Sequence, residues 1–116
     1  MAIIKSFTDL SQSKVLAEFL PLESADMHWQ YIEEDNGQLQ WFCFPKDFSI
    51  NQHDTISAWS LTALLNVLPD YTLQTNTDGT VFVVCDSKKP MISDAYSSPV
   101  DACYELIIKL HDQKLL

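Results

Sequence analysis

The chain has 116 residues, 47% of them hydrophobic, 11% aromatic and 20% charged, which suits one folding unit able to offset its ordering entropy and argues against disorder or a second domain. Sixteen acidic residues face seven basic ones, all lysines, for a formal net charge of -9. With no arginine to fork onto phosphates or guanine edges, direct binding of nucleic acid is disfavoured, whereas a basic protein partner is not. The N-terminal Met1-Ala2-Ile3-Ile4-Lys5 starts no long apolar run, and nowhere are there about eighteen apolar residues in succession, so the expected location is the cytoplasm, with no membrane partner.

Taken in chain order, the first expected element is a helix from about Ser11 to Leu20. Val15, Leu16, Phe19 and Leu20 form its apolar side, Thr8 or Ser11 caps it, and Pro21 stops it. Next come two strand-like runs, Met27–Glu34 and Gln38–Phe44, around Asn36-Gly37, a pair that favours a two-residue hairpin loop. With that loop Trp29 pairs with Phe44, Tyr31 with Phe42 and Glu33 with Gln40, so four aromatics share the face turned to the helices. His28, Gln30, Ile32, Glu34, Leu39, Trp41 and Cys43 then lie on the other face.

A second helix is expected from about Thr55 to Leu68, striped by Leu61, Leu64, Leu65 and Leu68 and ended by Pro69. Asp54 or Thr55 is placed to cap it. The second hairpin turns at Asp78-Gly79, and the same two-residue construction sets Tyr71, Leu73, Phe82 and Val84 on one face, with Val81, Val83 and Cys85 on the other. A short strand fits Met91–Tyr96. The last helix, Ser98–Leu116, carries Val100, Cys103, Leu106, Ile107, Leu110 and Lys114 at three-four spacing, with Ser98 as cap, Pro99 at the first helical position and Asp101 at the positive end of the dipole.

The expected architecture is a single α+β domain over residues 1–116, in which an antiparallel sheet of two hairpins, with a fifth strand, is packed on one face by three helices in the order α-ββ-α-ββ(β)-α. Local connections make it meander-like. Leu16, Leu20 and Pro21 recur as Leu64, Leu68 and Pro69 at constant offset, the trace a duplicated helix-plus-hairpin unit would leave.

Three segments, Leu20-Pro21-Leu22-Glu23-Ser24-Ala25-Asp26-Met27, Ala58-Trp59-Ser60-Leu61 through Leu68-Pro69, and Ser98-Pro99-Val100-Asp101-Ala102, resemble those of small uncharacterised proteins of gut Bacteroides-type bacteria and their phages or mobile elements. The resemblance implies a genomic setting and a domain type and carries over no site.

Cys43, Cys85 and Cys103 are odd in number, widely spaced and set in apolar segments, which reads as buried thiols rather than a disulfide framework or zinc site. A nucleophilic pair with His28, His53 or His111 needs an activated thiolate in contact with its base. Spacing does not supply one. His53-Asp54 lacks the separation that places two ligands on one helix face, and consecutive Glu33-Glu34-Asp35 side chains point to opposite sides of a strand. Ser57 and Ser60 flank Ala58-Trp59 without a glycine-framed elbow, and two turn glycines leave none for a phosphate loop. No catalytic, metal-binding or cofactor-binding residue is assigned.

Surface recognition is the leading expectation. Ile32, Leu39, Trp41, Val81 and Val83, with Cys43 and Cys85, are expected to form an apolar patch on the sheet face away from the helices, with Trp41 as its anchor. The expected function is a non-enzymatic interaction domain that binds a protein partner or a second copy, set in a phage or mobile element and directed at a host protein. An acidic mimic of nucleic acid is the first alternative. A small-ligand binder or cryptic enzyme, using a groove between Trp29 and Trp59, is the second.

Overall fold

The computed structural model describes residues 5–47, 55–86 and 89–116. Its elements are α1 (Leu10–Ala17), β1 (Met27–Glu33), β2 (Leu39–Pro45), β3 (Thr55–Ala58), α2 (Leu61–Val67), β4 (Tyr71–Thr75), β5 (Val81–Cys85), β6 (Met91–Ile92) and α3 (Pro99–Asp112), with a 3-10 turn at Leu22–Ser24. The α+β class and the order of helices and hairpins are as expected. The two hairpins lie in separate three-stranded antiparallel sheets, ordered β2-β1-β3 and β4-β5-β6. The chain divides into two compact units, one of residues 7–60 and one of residues 61–116 joined by the N-terminal segment that ends at Ser6.

In the first unit α1 is shorter than its apolar spacing suggested. Asp9, rather than Thr8 or Ser11, is the cap: its carboxylate accepts from the Gln12 amide at 2.8 Å while the Gln12 side chain accepts from the Asp9 amide at 3.1 Å, closing a reciprocal capping box. Thr8 is drawn inward instead. Its amide donates to the Trp59 carbonyl at 2.9 Å and its hydroxyl oxygen accepts from the Trp59 amide at 3.1 Å, tying the residue before α1 to the end of β3. Leu16 and Ser13 are buried, whereas Val15, expected on the apolar side, is exposed.

Thr55–Ala58 is a strand, not the first turn of the second helix. It pairs antiparallel with Met27–Gln30 and gives β1 a neighbour on each side. Two β-branched residues, Thr55 and Ile56, favour that pleated conformation, and α2 begins only at Leu61. Asp26 closes the strand end, its carboxylate accepting from the Ser60 amide at 2.8 Å and from the Ser60 hydroxyl. The other cap candidate, Asp54, and the His53-Asp54 pair lie outside the described residues.

Both hairpin loops hold three residues, not two. The Gly37 amide bonds to the Glu34 carbonyl at 2.9 Å and the Glu34 amide to the Gln38 carbonyl at 2.7 Å; Gly79 with Asn76, and Asn76 with Thr80, repeat the pattern at 3.0 and 2.7 Å. Each glycine has positive φ, 82° at Gly37 and 88° at Gly79, as a type I turn closed by a left-handed residue requires. Side chains finish the loops alike: Asn36 Oδ1 accepts from the Gln38 amide, and Asp78 Oδ1 from the Thr80 amide. The extra loop residue moves both registers by one. Trp29 pairs with Cys43, Tyr31 with Trp41, Leu73 with Val83 and Tyr71 with Cys85. A one-residue slip exchanges the faces of one strand relative to its partner, which overturns the expected sharing of faces in both hairpins.

The second unit is built on α3. Ser98 caps it, accepting from the Asp101 amide at 3.4 Å, with Pro99 in the first turn and Lys109 and His111 in the last. Val100, Cys103, Leu106, Ile107 and Leu110 are fully buried along one stripe, as the periodicity predicted. The helix ends at Asp112, so Lys114, with φ of 57°, lies past it. Helix α3 packs against β5, β6 and α2. The expected strand over 91–96 is realised as β6 and a separate bridge from Tyr96 to Val81. In the first sheet the third strand joins β1, and in the second it joins β5, so only the second is a meander. This difference in topology is unlike what a duplicated unit would leave.

Candidate functional site

The residues expected to form one surface patch are dispersed. Val83 is fully buried and Val81 is 7% exposed, on the strand that packs against α3, so neither can meet a partner. Val81, Val83 and Cys85 occupy the inward rows of β5, opposite Thr75, Leu73 and Tyr71. Ile32 pairs with Gln40, on the face of β1–β2 opposite to Leu39 and Trp41. Of the expected set in the first sheet, Leu39, Trp41 and Cys43 share a side.

That side runs toward the β1–β2 loop. Among the described residues the β1–β3 pairing ends with Gln30 opposite Thr55, and Tyr31–Glu33 pair with Leu39–Trp41 toward the loop. There the Tyr31 and Trp41 rings stack, centroids 5.0 Å apart and planes 28° from parallel. Leu39, two pairs further out on the same face, is 50% exposed. The tip beyond carries Glu33, Glu34 and Asp35. An apolar, aromatic strip with a carboxylate rim suits an apolar anchor contact bordered by cations, and Trp41 can also take a guanidinium on its face. Tyr31 was missed because a two-residue loop places it on the opposite face from Trp41; the Glu34-Asp35-Asn36-Gly37 stretch, suited to a type I turn ending in glycine, was the signal for the longer loop.

The opposite face holds a hollow of about 310 Å³ lined by Met27, His28, Gln30, Lys46, Thr55 and Ser57. His28 stands beside Ser57 and Gln30 beside Thr55 across the β1–β3 ladder, and the Gln30 side chain, fully buried, hydrogen-bonds the His28 ring. Phe44 flanks His28 at 6.4 Å between rings.

Trp29 and Trp59 do not form a groove. Trp59 is fully buried with Nε1 donating to Ser24 Oγ at 2.9 Å; Trp29 packs edge-on against Phe7 at 5.6 Å and donates to the Thr8 carbonyl at 3.2 Å. Both rings hold the first unit together.

All three cysteines are free thiols. Burial pushes Cys43 up to about 11, helped by the nearby charge of Asp26, and Cys103 up to about 12, helped by Cys85; burial and Asp70 also raise Cys85. Such thiols stay protonated at neutral pH and are poor nucleophiles. Cys43 and His28 fall on opposite faces of the ribbon, since Cys43 pairs with Trp29. Among the described residues no three His, Cys, Asp or Glu side chains gather as a metal site, and no helix is long and apolar enough to cross a membrane.

Several carboxylates are engaged locally rather than arrayed in rows. Asp26 serves Ser60, Asp78 accepts from Thr80, Asp101 pairs with Lys5 at 2.8 Å, and Glu105 meets Lys109 at 3.3 Å and the Asp94 amide at 2.7 Å. A phosphate mimic needs regularly spaced, outward carboxylates, which these do not supply.

No protein-family model, curated protein or solved structure matches the chain.

Proposed function

We propose that the chain is a non-enzymatic protein-interaction domain that engages a basic surface of another protein through the loop end of its β1–β2 ribbon. The observation that carries this reading is the stacked Tyr31–Trp41 pair, with Leu39 exposed beside it and carboxylates at the hairpin tip. Two stacked rings are already ordered, so docking them costs little further side-chain entropy, and aromatic residues dominate the energetic centres of protein interfaces. Three free thiols suit the reducing cytoplasm as the place of action. The resemblance to proteins of phages and mobile elements is the ground for seeking the partner among host proteins.

Affinity capture from a host lysate, run in parallel with wild type and Trp41→Ala, tests the proposal. A basic protein retained by the wild type, lost with Trp41→Ala and released by salt, is the expected result. Equal recovery of the same proteins by both, with Trp41→Ala folded by circular dichroism, contradicts it.

A second reading rests on the fully buried Gln30 bonded to His28 in the hollow between β1 and β3. This is a site for a small polar ligand bearing an acceptor for Lys46 and Ser57. Titration with small carboxylates, followed by the His28 ring resonances, tests it; unmoved resonances at saturating concentration dismiss it.

A further inference from the structure

Among the described residues no strand pairs with the outer edge of β4. Strand β4 is terminal in its sheet, and all five of its residues, Tyr71–Thr75, are exposed. Its hydrogen-bonding parity follows from the ladder ends. Asn76 bonds the Thr80 carbonyl and Asp86 bonds the Asp70 carbonyl, so the even-numbered positions of β4 face β5. The amides and carbonyls of Tyr71, Leu73 and Thr75 therefore point away from the sheet. Side chains on that row are also incompletely covered, Tyr71 being 42% and Leu73 36% exposed. Proteins protect such an edge with lysine, proline, a bulge or an inward charge, and Tyr71-Thr72-Leu73-Gln74-Thr75 has none of these.

We infer that β4 pairs with β4 of a second copy, antiparallel about a two-fold axis at Leu73. The register is self-complementary. With Leu73 opposite Leu73, Tyr71 of one copy meets Thr75 of the other, and every outward amide finds an outward carbonyl. The charges agree with this choice of occupant: in a chain of formal charge -9, the segment brought together is uncharged, and Asp70 falls opposite Asn76 rather than opposite another carboxylate. The leucine pair on the axis and the flanking tyrosines bury apolar surface that each copy leaves to water. The contact is far smaller than the roughly 1,200 Å² of a stable complex, so association is weak and concentration-dependent. It goes beyond the partner-binding reading and uses none of the ribbon residues.

Sedimentation analysis of the full chain from about 10 µM to about 1 mM, a range suited to small interfaces, tests the inference. The expected result is a mass rising from monomer toward dimer. Leu73→Lys and Leu73→Glu, each checked for native circular dichroism, are expected to stay monomeric alone and to dimerise when mixed, because like charges on the axis repel and opposite ones attract. Under mild oxidation Leu73→Cys is expected to cross-link at least ten-fold faster than Thr75→Cys. A wild type that remains monomeric throughout, a Leu73→Lys protein that dimerises as the wild type does, a mixture that stays monomeric, or equal cross-linking at both positions overturns it.

Discussion

At the residue scale the two turn glycines carry the clearest energetic claim. A Cβ built at Gly37 or Gly79 meets nothing within 4 Å, so the cost of a side chain there is that of the left-handed backbone alone. Gly37→Ala and Gly79→Ala are each expected to lower stability by about 1 to 2 kcal/mol, with Asn in place of Ala recovering part of it; urea unfolding with an unchanged slope checks this. Asp78 makes a second claim. Hydrogen bonds from the Thr80 hydroxyl, at 2.6 Å, and from the Thr80 amide hold its carboxyl below the usual range. A folded value below the unfolded one means that the contribution is present above the unfolded pKa and is lost as pH falls through the folded pKa. Thr80→Val should therefore move the Asp78 titration upward in a carbon-detected NMR series; an unmoved midpoint would contradict the assignment. The thiols make a third. Native protein at pH 7 should react slowly with a thiol reagent, Cys43 first, while Cys85 and Cys103 wait for unfolding.

Elements formed where sequence signals were local and redundant. Helix α3 was legible because cap, first-turn proline, apolar stripe and terminal cations all agree over one segment. Both hairpins were legible as hairpins from Asn36-Gly37 and Asp78-Gly79. Their register was not, because a two-residue and a three-residue loop use the same Asn-Gly or Asp-Gly pair and differ only in the backbone sense of the residue before it. That one residue decides whether Tyr31 shares a face with Trp41 and Leu73 with Val83. Strand β3 was illegible for another reason: Thr55–Ala58 adjoins a leucine stripe, and only its pairing with β1, a contact remote in sequence, makes it a strand. Asp9 was passed over because Thr8 beside it is an equally good cap by type, and Thr8 is instead engaged with Trp59. Asp9→Ala is expected to cost about 1 kcal/mol, and Thr8→Val more than that, because it leaves the buried Trp59 amide without its acceptor; thermal unfolding of the pair checks the order.

For the whole molecule, charge separates the two modes of association. Repulsion between copies of formal charge -9 opposes the β4 dimer, whose own contact is uncharged, so added salt should strengthen self-association. Binding of a basic partner at the acidic tip of the ribbon should weaken over the same range. Both surfaces depend on the three-residue loops, which set what each strand turns outward. A NOESY spectrum of the intact chain reads those registers directly, because non-hydrogen-bonded antiparallel pairs bring their α-protons together. The account predicts strong α-proton contacts between Tyr31 and Trp41 and between Leu73 and Val83. Contacts shifted by one residue, with Tyr31 opposite Phe42 and the Leu73–Val83 signal missing, would contradict it.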